Sequence, residues 1–173
     1  MELRPSTLLL KAMNKKNLIG AEIGVFEGEH ALEMLQNLPI KKLYLIDPYD
    51  SYGEYYEISN KVLHTAKQKA GDLLIKFASQ IEFVQGQAAH VVNVIPDNLD
   101  FVYIDGNHAY KYVLLDLETY WPKVLDTGGV LCGHDYNNNN IPGVTQAVNE
   151  FAKKSDLYFI QSNHDWWLIK WKQ

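Results

Sequence analysis

The chain has 173 residues, 47% of them hydrophobic, which is enough to bury one sizeable core and leaves two domains cramped. A formal net charge of −5 and a pI near 5.6 argue against a nucleic-acid backbone or an anionic membrane as the main partner. A single cysteine, Cys132, excludes an intrachain disulfide and a thiolate-cluster metal site, and its apolar surroundings predict a buried, inert thiol. No stretch reaches the roughly 18 apolar residues of a membrane span, and the start lacks a signal-peptide core. The default expectation is a soluble cytoplasmic protein of one domain, with residues 1–16 as an N-terminal helix and 17–173 as the core.

In chain order, residues 6–16 read as a short helix, with Pro5 at its start. The apolar run 17–25 reads as a buried strand. Ala31, Met34, Leu35 and Leu38 then follow the spacing of one helix face. Residues 42–49 form a second strand, stopped by Pro48, and 53–79 look helical with a break at Gly71. Residues 81–86 read as a third strand, 87–95 as a short helix and 99–106 as a fourth strand. Tyr110, Val113, Leu114, Leu117 and Trp121 mark a helix limited by Pro122. Residues 128–135 form a fifth strand, and Val144, Ala147, Val148, Phe151 and Ala152 mark another helix. "LYFIQS" and "DWWLIKW" close the chain as two strands around a tight turn.

Strand alternating with helix five times implies a parallel sheet with helices on both faces. The terminal hairpin would add one antiparallel strand at the sheet's edge. Right-handed crossovers place the carboxyl ends of the parallel strands along one rim, where ligands bind. The chemistry is therefore expected at residues 22–28, Asp47, 85–87, 105–108 and 134–136.

The first of these is "EIGVFEG", a glycine-bearing turn with Glu22 and Glu27 beside Gly24 and Gly28. Such a turn lets a ligand approach the backbone and a helix start. Its acidic flanks would repel a pyrophosphate and suit a ligand with a cationic group, such as S-adenosylmethionine. An ordinary βα turn explains it equally well. Asp47 stands 23 residues after Gly24, where an acidic side chain accepts hydrogen bonds from ribose hydroxyls; the plainer reading is a cap on the next helix. Gln85 or Gln87 could meet an adenine edge, or be plain loop residues. Asp105, His134 and Asp135 end neighbouring strands, so two carboxylates and an imidazole would converge. That set suits a hard divalent cation such as Mg2+, with imidazole its less typical ligand. His108, three residues past Asp105, could act as a general base near neutral pH. Alternatively, Asp105 caps a helix and His134 packs against the sheet.

These segments together resemble a known family. "AEIGVFEGEHA", "LYLIDPY", "VYIDGNHAYKYVLLDLETYWPKVLDTGGVLCGHDY" and "PGVTQAV" are similar to class I S-adenosylmethionine-dependent methyltransferases, and more narrowly to a small bacterial group related to the macrolide sugar O-methyltransferases. The resemblance runs from about Asn17 to the end. It implies a Rossmann-like, doubly wound, mostly parallel α/β sheet of seven strands with the last antiparallel. It also implies that Glu22, Gly24 and Gly28 line the methionine end of the cofactor, that Asp47 holds the ribose and that Gln87 lies near the adenine. Asp105 and Asp135 match positions that carry a divalent metal in several relatives, and His134 stands where those relatives often have a second aspartate. His108 matches a recurrent histidine and is the candidate base. The larger relatives cover their substrate with extra N-terminal segments; here residues 1–16 alone precede the first strand. The cover is then expected from "DPYDSYGEYYEI", with Tyr49, Tyr52, Tyr55 and Tyr56, together with "YNNNNIPG". Core packing or a dimer contact is an equal alternative for those tyrosines.

The expected function is O-methylation of a hydroxyl on a small polar molecule such as a sugar, by in-line displacement, with no nucleic acid or membrane as partner and a homodimer allowed. A nicotinamide-dependent oxidoreductase is the rival enzyme, though the glycine pattern is wrong for it. A binding-only protein of the same fold is the rival from outside catalysis.

Overall fold

The computed structural model describes residues 3–52, 59–157 and 159–171. Part of the tyrosine-rich stretch, with Tyr55 and Tyr56, lies outside the described residues, as do the first residues of the helix expected over 53–79.

Seven strands form one sheet: β1 (Leu18–Ile23), β2 (Ile40–Asp47), β3 (Ile81–Gln85), β4 (Phe101–Ile104), β5 (Gly129–Gly133), β6 (Phe159–Ser162) and β7 (Asp165–Lys170), in the order β3-β2-β1-β4-β5-β7-β6. The first five pair in parallel, with Glu22 beside Tyr103 across β1 and β4, and Tyr103 beside Cys132 across β4 and β5. β7 runs antiparallel between β5 and β6. The antiparallel strand is therefore one place in from the edge, not at it. The burial explains the order. Asp165 to Leu168 of β7 are all buried, as a strand paired on both sides requires, whereas β6 is largely exposed.

The helices are α1 (Pro5–Ala12), α2 (Glu29–Asn37), α3 (Asn60–Leu73), α4 (Ala88–Val91), α5 (Tyr110–Tyr120) and α6 (Pro142–Lys154). α3 runs through Gly71 without a break. A glycine costs a helix roughly 1 kcal/mol, which burial of Ala66 and Ala70 offsets. Alternation along the strands sorts the core into two layers. Phe101, Tyr103 and Cys132 face α1, α2 and α3 with Leu43, Leu45 and Met34. Val102, Ile104 and Leu131 face α4, α5 and α6 with Leu117, Tyr120 and Val148. Cys132 is fully buried, its thiol directed at the Val102 carbonyl at 3.4 Å. Among the described residues, no helix is long and apolar enough to cross a membrane.

α1 is fastened to α2 and to β7. The main-chain N–H and the hydroxyl of Ser6 donate to Asp165 Oδ2, and the N–H of Arg4 donates to Glu33 Oε1 at 3.0 Å. Asp165 is 1% exposed and Glu33 7%, so these are buried anchors.

Candidate active site

A cavity of about 350 Å3 opens at the carboxyl ends of β1, β2, β3 and β4. That volume is in the range of small-molecule sites. Its wall includes Glu22, Gly24, Asp47, Gly86, Asp105 and His108.

The glycine turn is built by Asp47. Its Oδ2 accepts the N–H groups of Val25 at 2.9 Å and Phe26 at 3.0 Å, and its Oδ1 that of Tyr49 at 2.7 Å. The carboxylate thus clamps the turn while remaining on the cavity wall, where its further lone pairs can meet a ribose. Gly24 has φ +86°, and a Cβ there would lie 2.0 Å from the Asp105 carbonyl oxygen. The glycine is therefore needed for β1 to close against the loop after β4. Gly28 also has positive φ, but its missing side chain faces Ala70 of the third helix and Leu74 just past its end, and it does not line the cavity. Gln87 precedes α4; its neighbours Gly86 and Ala88 line the cavity, and it does not.

Glu22 is 1% exposed and is held by His30 Nδ1 at 2.8 Å, while its Oε2 is buried without a partner among the described residues. Burial pushes its carboxyl up from the ordinary range, against the opposing hydrogen bond from His30. His30 in turn stacks on Tyr103 with ring centroids 4.0 Å apart. An orphaned buried acceptor on a cavity wall is what a ligand carrying a cationic donor would satisfy.

Beside it, Asp105, His108 and Asp135 bring ligating atoms within 4.8 Å of one another. His108 Nε2 lies 3.0 Å from Asp135 Oδ2 and 3.7 Å from Asp105 Oδ1. Burial alone would lower the imidazole pKa, but hydrogen bonding to Asp105 and Asp135 and their charge override it, pushing the group up to about 9. The two carboxylates thus favour the protonated ring, which shifts His108 above the near-neutral range expected of a free imidazole. The carboxylates respond in kind. Burial would raise Asp105, yet hydrogen bonds from His108 and the charge of Arg4 hold it below its ordinary value. Asp135, despite burial, is held well below its own by His108, His134 and Asn138. His134 is not one of the converging three. Its Nδ1 lies 3.3 Å from Asp135 Oδ1 and its Nε2 3.9 Å from Asp165, and neither His134 nor Asp135 reaches the cavity wall. Asp135 itself sits at φ +63°, a sparsely populated conformation held by the surrounding loop.

Arg4 was not expected here. Its Nη1 donates to the Tyr103 hydroxyl at 2.5 Å and to Asp105 Oδ2 at 3.0 Å, and its side chain lines the cavity. The only local signal was an arginine placed immediately before the proline that starts a helix. Asn107 lines the same wall, its Oδ1 accepting the N–H of Ala109. Of the tyrosines proposed as cover, Tyr52 lines the cavity and stacks edge-on against Tyr112, while Tyr49 is 2% exposed. The "YNNNNIPG" segment packs on itself and on α6, through Asn137 N–H to Thr145 and Tyr136 to Asn149.

The residues fit an adenosine carrying an amino-acid tail: acceptors and glycines along β1 to β3, and opposite charges at β4. They fit a divalent cation less well. Each carboxylate of the converging set already pairs with Arg4 or His108, so a cation would have to displace those partners and the imidazole proton.

A family model described as a methyltransferase domain matches residues 21–136. An uncharacterized protein of Acanthamoeba polyphaga mimivirus is 30% identical over 145 residues, 83% of this chain and 63% of that protein. The chain thus spans less than two thirds of that relative. Among solved structures, the O-methyltransferase NovP superposes with a TM-score of 0.75 at 18% identity, covering 96% of this chain and 77% of that one. A Streptococcus mutans protein described as a methyltransferase, solved with S-adenosylhomocysteine, superposes with a TM-score of 0.70 at 17% identity, covering 98% and 99%. At such identities these two show the fold alone, and the family rests on the match over residues 21–136, which carries the glycine turn, Asp47, Asp105 and His108. The chain belongs to the methyltransferase domain family.

Proposed function

We propose that this protein methylates a hydroxyl of a small polar molecule, with a sugar as the leading candidate. The observation that carries the reading is His108 on the cavity wall, aimed at the carboxylates of Asp105 and Asp135. A basic group confined beside a methyl-donor cavity serves an acceptor whose own proton must be removed. S-adenosylmethionine supplies an electrophilic methyl on a sulfonium, and the sulfur keeps the electron pair when that methyl leaves.

The chain's own residues do the rest. Asp47 and the glycine turn fix the adenosine, so that most of the rate comes from alignment of the acceptor oxygen with the methyl. The acceptor's proton passes to the neutral imidazole of His108 as the new bond to oxygen forms, and Asp135 and Asp105 stabilise the resulting imidazolium. A cationic ligand in the cavity lowers the pKa of His108 by like-charge repulsion, which brings its neutral form toward working pH. Arg4 supplies a fixed positive charge beside Asp105, so turnover is expected without added Mg2+. The net charge of −5 supports a small acceptor over a nucleic acid.

The test is methyl transfer from labelled S-adenosylmethionine to a panel of free and nucleotide-linked sugars, with and without chelator, for wild type and His108→Ala. The reading expects transfer to oxygen, indifference to chelator and a loss of about 10²–10⁴-fold in the variant. Transfer to nitrogen or carbon would refute it, and so would full activity of His108→Ala.

A further inference from the structure

We infer that Arg4 is the binding residue for the α-carboxylate of the cofactor's methionine end. The inference rests on S-adenosylmethionine occupying the cavity described above.

The amino-acid end of that cofactor is a zwitterion, and a buried wall must answer both charges. With adenosine over the ends of β2 and β3, the amino-acid end lies over β1 and β4. There the wall offers Asp105, whose carboxyl is held below its ordinary value, and the Oε2 of Glu22, unpartnered among the described residues, for the ammonium. For the carboxylate it offers Arg4, which is the single arginine or lysine among the described residues lining the cavity.

The guanidinium has capacity to spare. Nη1 is used by Tyr103 and Asp105, whereas Nη2 and Nε donate to nothing among the described residues. A guanidinium carries five donors in a fixed fork suited to a carboxylate. Its side chain is 33% exposed, opening into the cavity, and its central carbon lies 5.7 Å from the Tyr103 ring centroid. The group is also held in place. The main chain at Arg4 and Ser6 is tied to the buried carboxylates of Glu33 and Asp165. A solvated surface arginine would have neither the anchors nor the neighbours.

The rival use of the same guanidinium is to hold an acid group on the acceptor. Two ligands separate them: S-adenosylhomocysteine and its decarboxylated analogue, which keeps the adenosine, sulfur and amine. Calorimetric titration of wild type, Arg4→Ala and Arg4→Lys with both ligands, without acceptor, is the experiment. For S-adenosylhomocysteine, Arg4→Ala should bind at least about tenfold more weakly, with Arg4→Lys intermediate. For the decarboxylated analogue, neither variant should bind more weakly than wild type, which also shows that the variants are folded. Equal weakening of both ligands would overturn the inference, because Arg4 would then be acting through the fold. So would an unchanged affinity of Arg4→Ala for S-adenosylhomocysteine, which would leave the guanidinium to the acceptor. Wild-type protein that binds neither ligand would instead overturn the cofactor's placement, and this inference with it.

Discussion

Asp116 gives a stability prediction that can be worked through in numbers. It lies on α5 between Tyr112, which meets Tyr52 on the cavity wall, and Tyr120, whose hydroxyl bonds to the Ala88 carbonyl. It is 5% exposed, and among the described residues no hydrogen bond reaches its carboxyl. Burial pushes its pKa from 3.8 up to about 7. The folded protein therefore favours the protonated acid, and the unfolded chain releases the proton near its ordinary value. Stability from this group is complete below about pH 4 and declines as pH rises to about 7. Each pKa unit is worth 1.36 kcal/mol, so the loss reaches about 4 kcal/mol and then levels off. Asp116→Asn removes the titration and keeps the shape. The variant should unfold at nearly the wild-type denaturant midpoint at pH 4, and be more stable by about 4 kcal/mol at pH 8. Urea unfolding of both proteins across pH 4–8.5 measures the gap. A gap that stays constant with pH would refute the reasoning, because it would mean that the carboxyl is solvated or paired.

Further outcomes follow from the cavity wall. If His108 takes the acceptor's proton, kcat/KM should climb with pH and level off no higher than about 9, the value the ring has before the cationic cofactor lowers it. Asp135→Asn removes one of the two carboxylates that raise this pKa, so the climb should move to lower pH; a profile that stays put would exclude the pairing. Asp47→Ala strands three backbone N–H groups of the glycine turn, which should cost about 2–4 kcal/mol in thermal unfolding and weaken S-adenosylhomocysteine at least tenfold by calorimetry. Gly24→Ala should lower the melting temperature as well as the affinity, because the added Cβ meets the backbone of Asp105; an unaltered melting curve would contradict that packing.

The sheet was legible because its hydrophobic runs alternate with helical spacing, and strand ends then marked Glu22, Asp47, Asp105 and His108 as residues of one rim. Where residues lie along the chain does not say which way a glycine faces. Gly28 looked like part of the cofactor turn, yet its bare side meets α3, an element some forty residues away. The place of the antiparallel strand could have been read from composition, since β7 has the apolar run Trp166 to Ile169 and β6 carries Gln161 and Ser162. The charge state of His108 could not, because it depends on Asp135 from a neighbouring strand. Nor could Arg4, whose partners Tyr103 and Asp105 are about a hundred residues distant.

The Ser6–Asp165 bond joins residues 159 positions apart, and it sets an order of events in folding. Contacts of such separation close late, because the loop between them must first give up its freedom. A nascent chain that has completed the five parallel strands still lacks β7, and with it the carboxylate that seats the segment bearing Arg4. Binding capacity should consequently appear after secondary structure during refolding. Cofactor capture can then serve as a reporter of the last docking step, where circular dichroism would already read as finished.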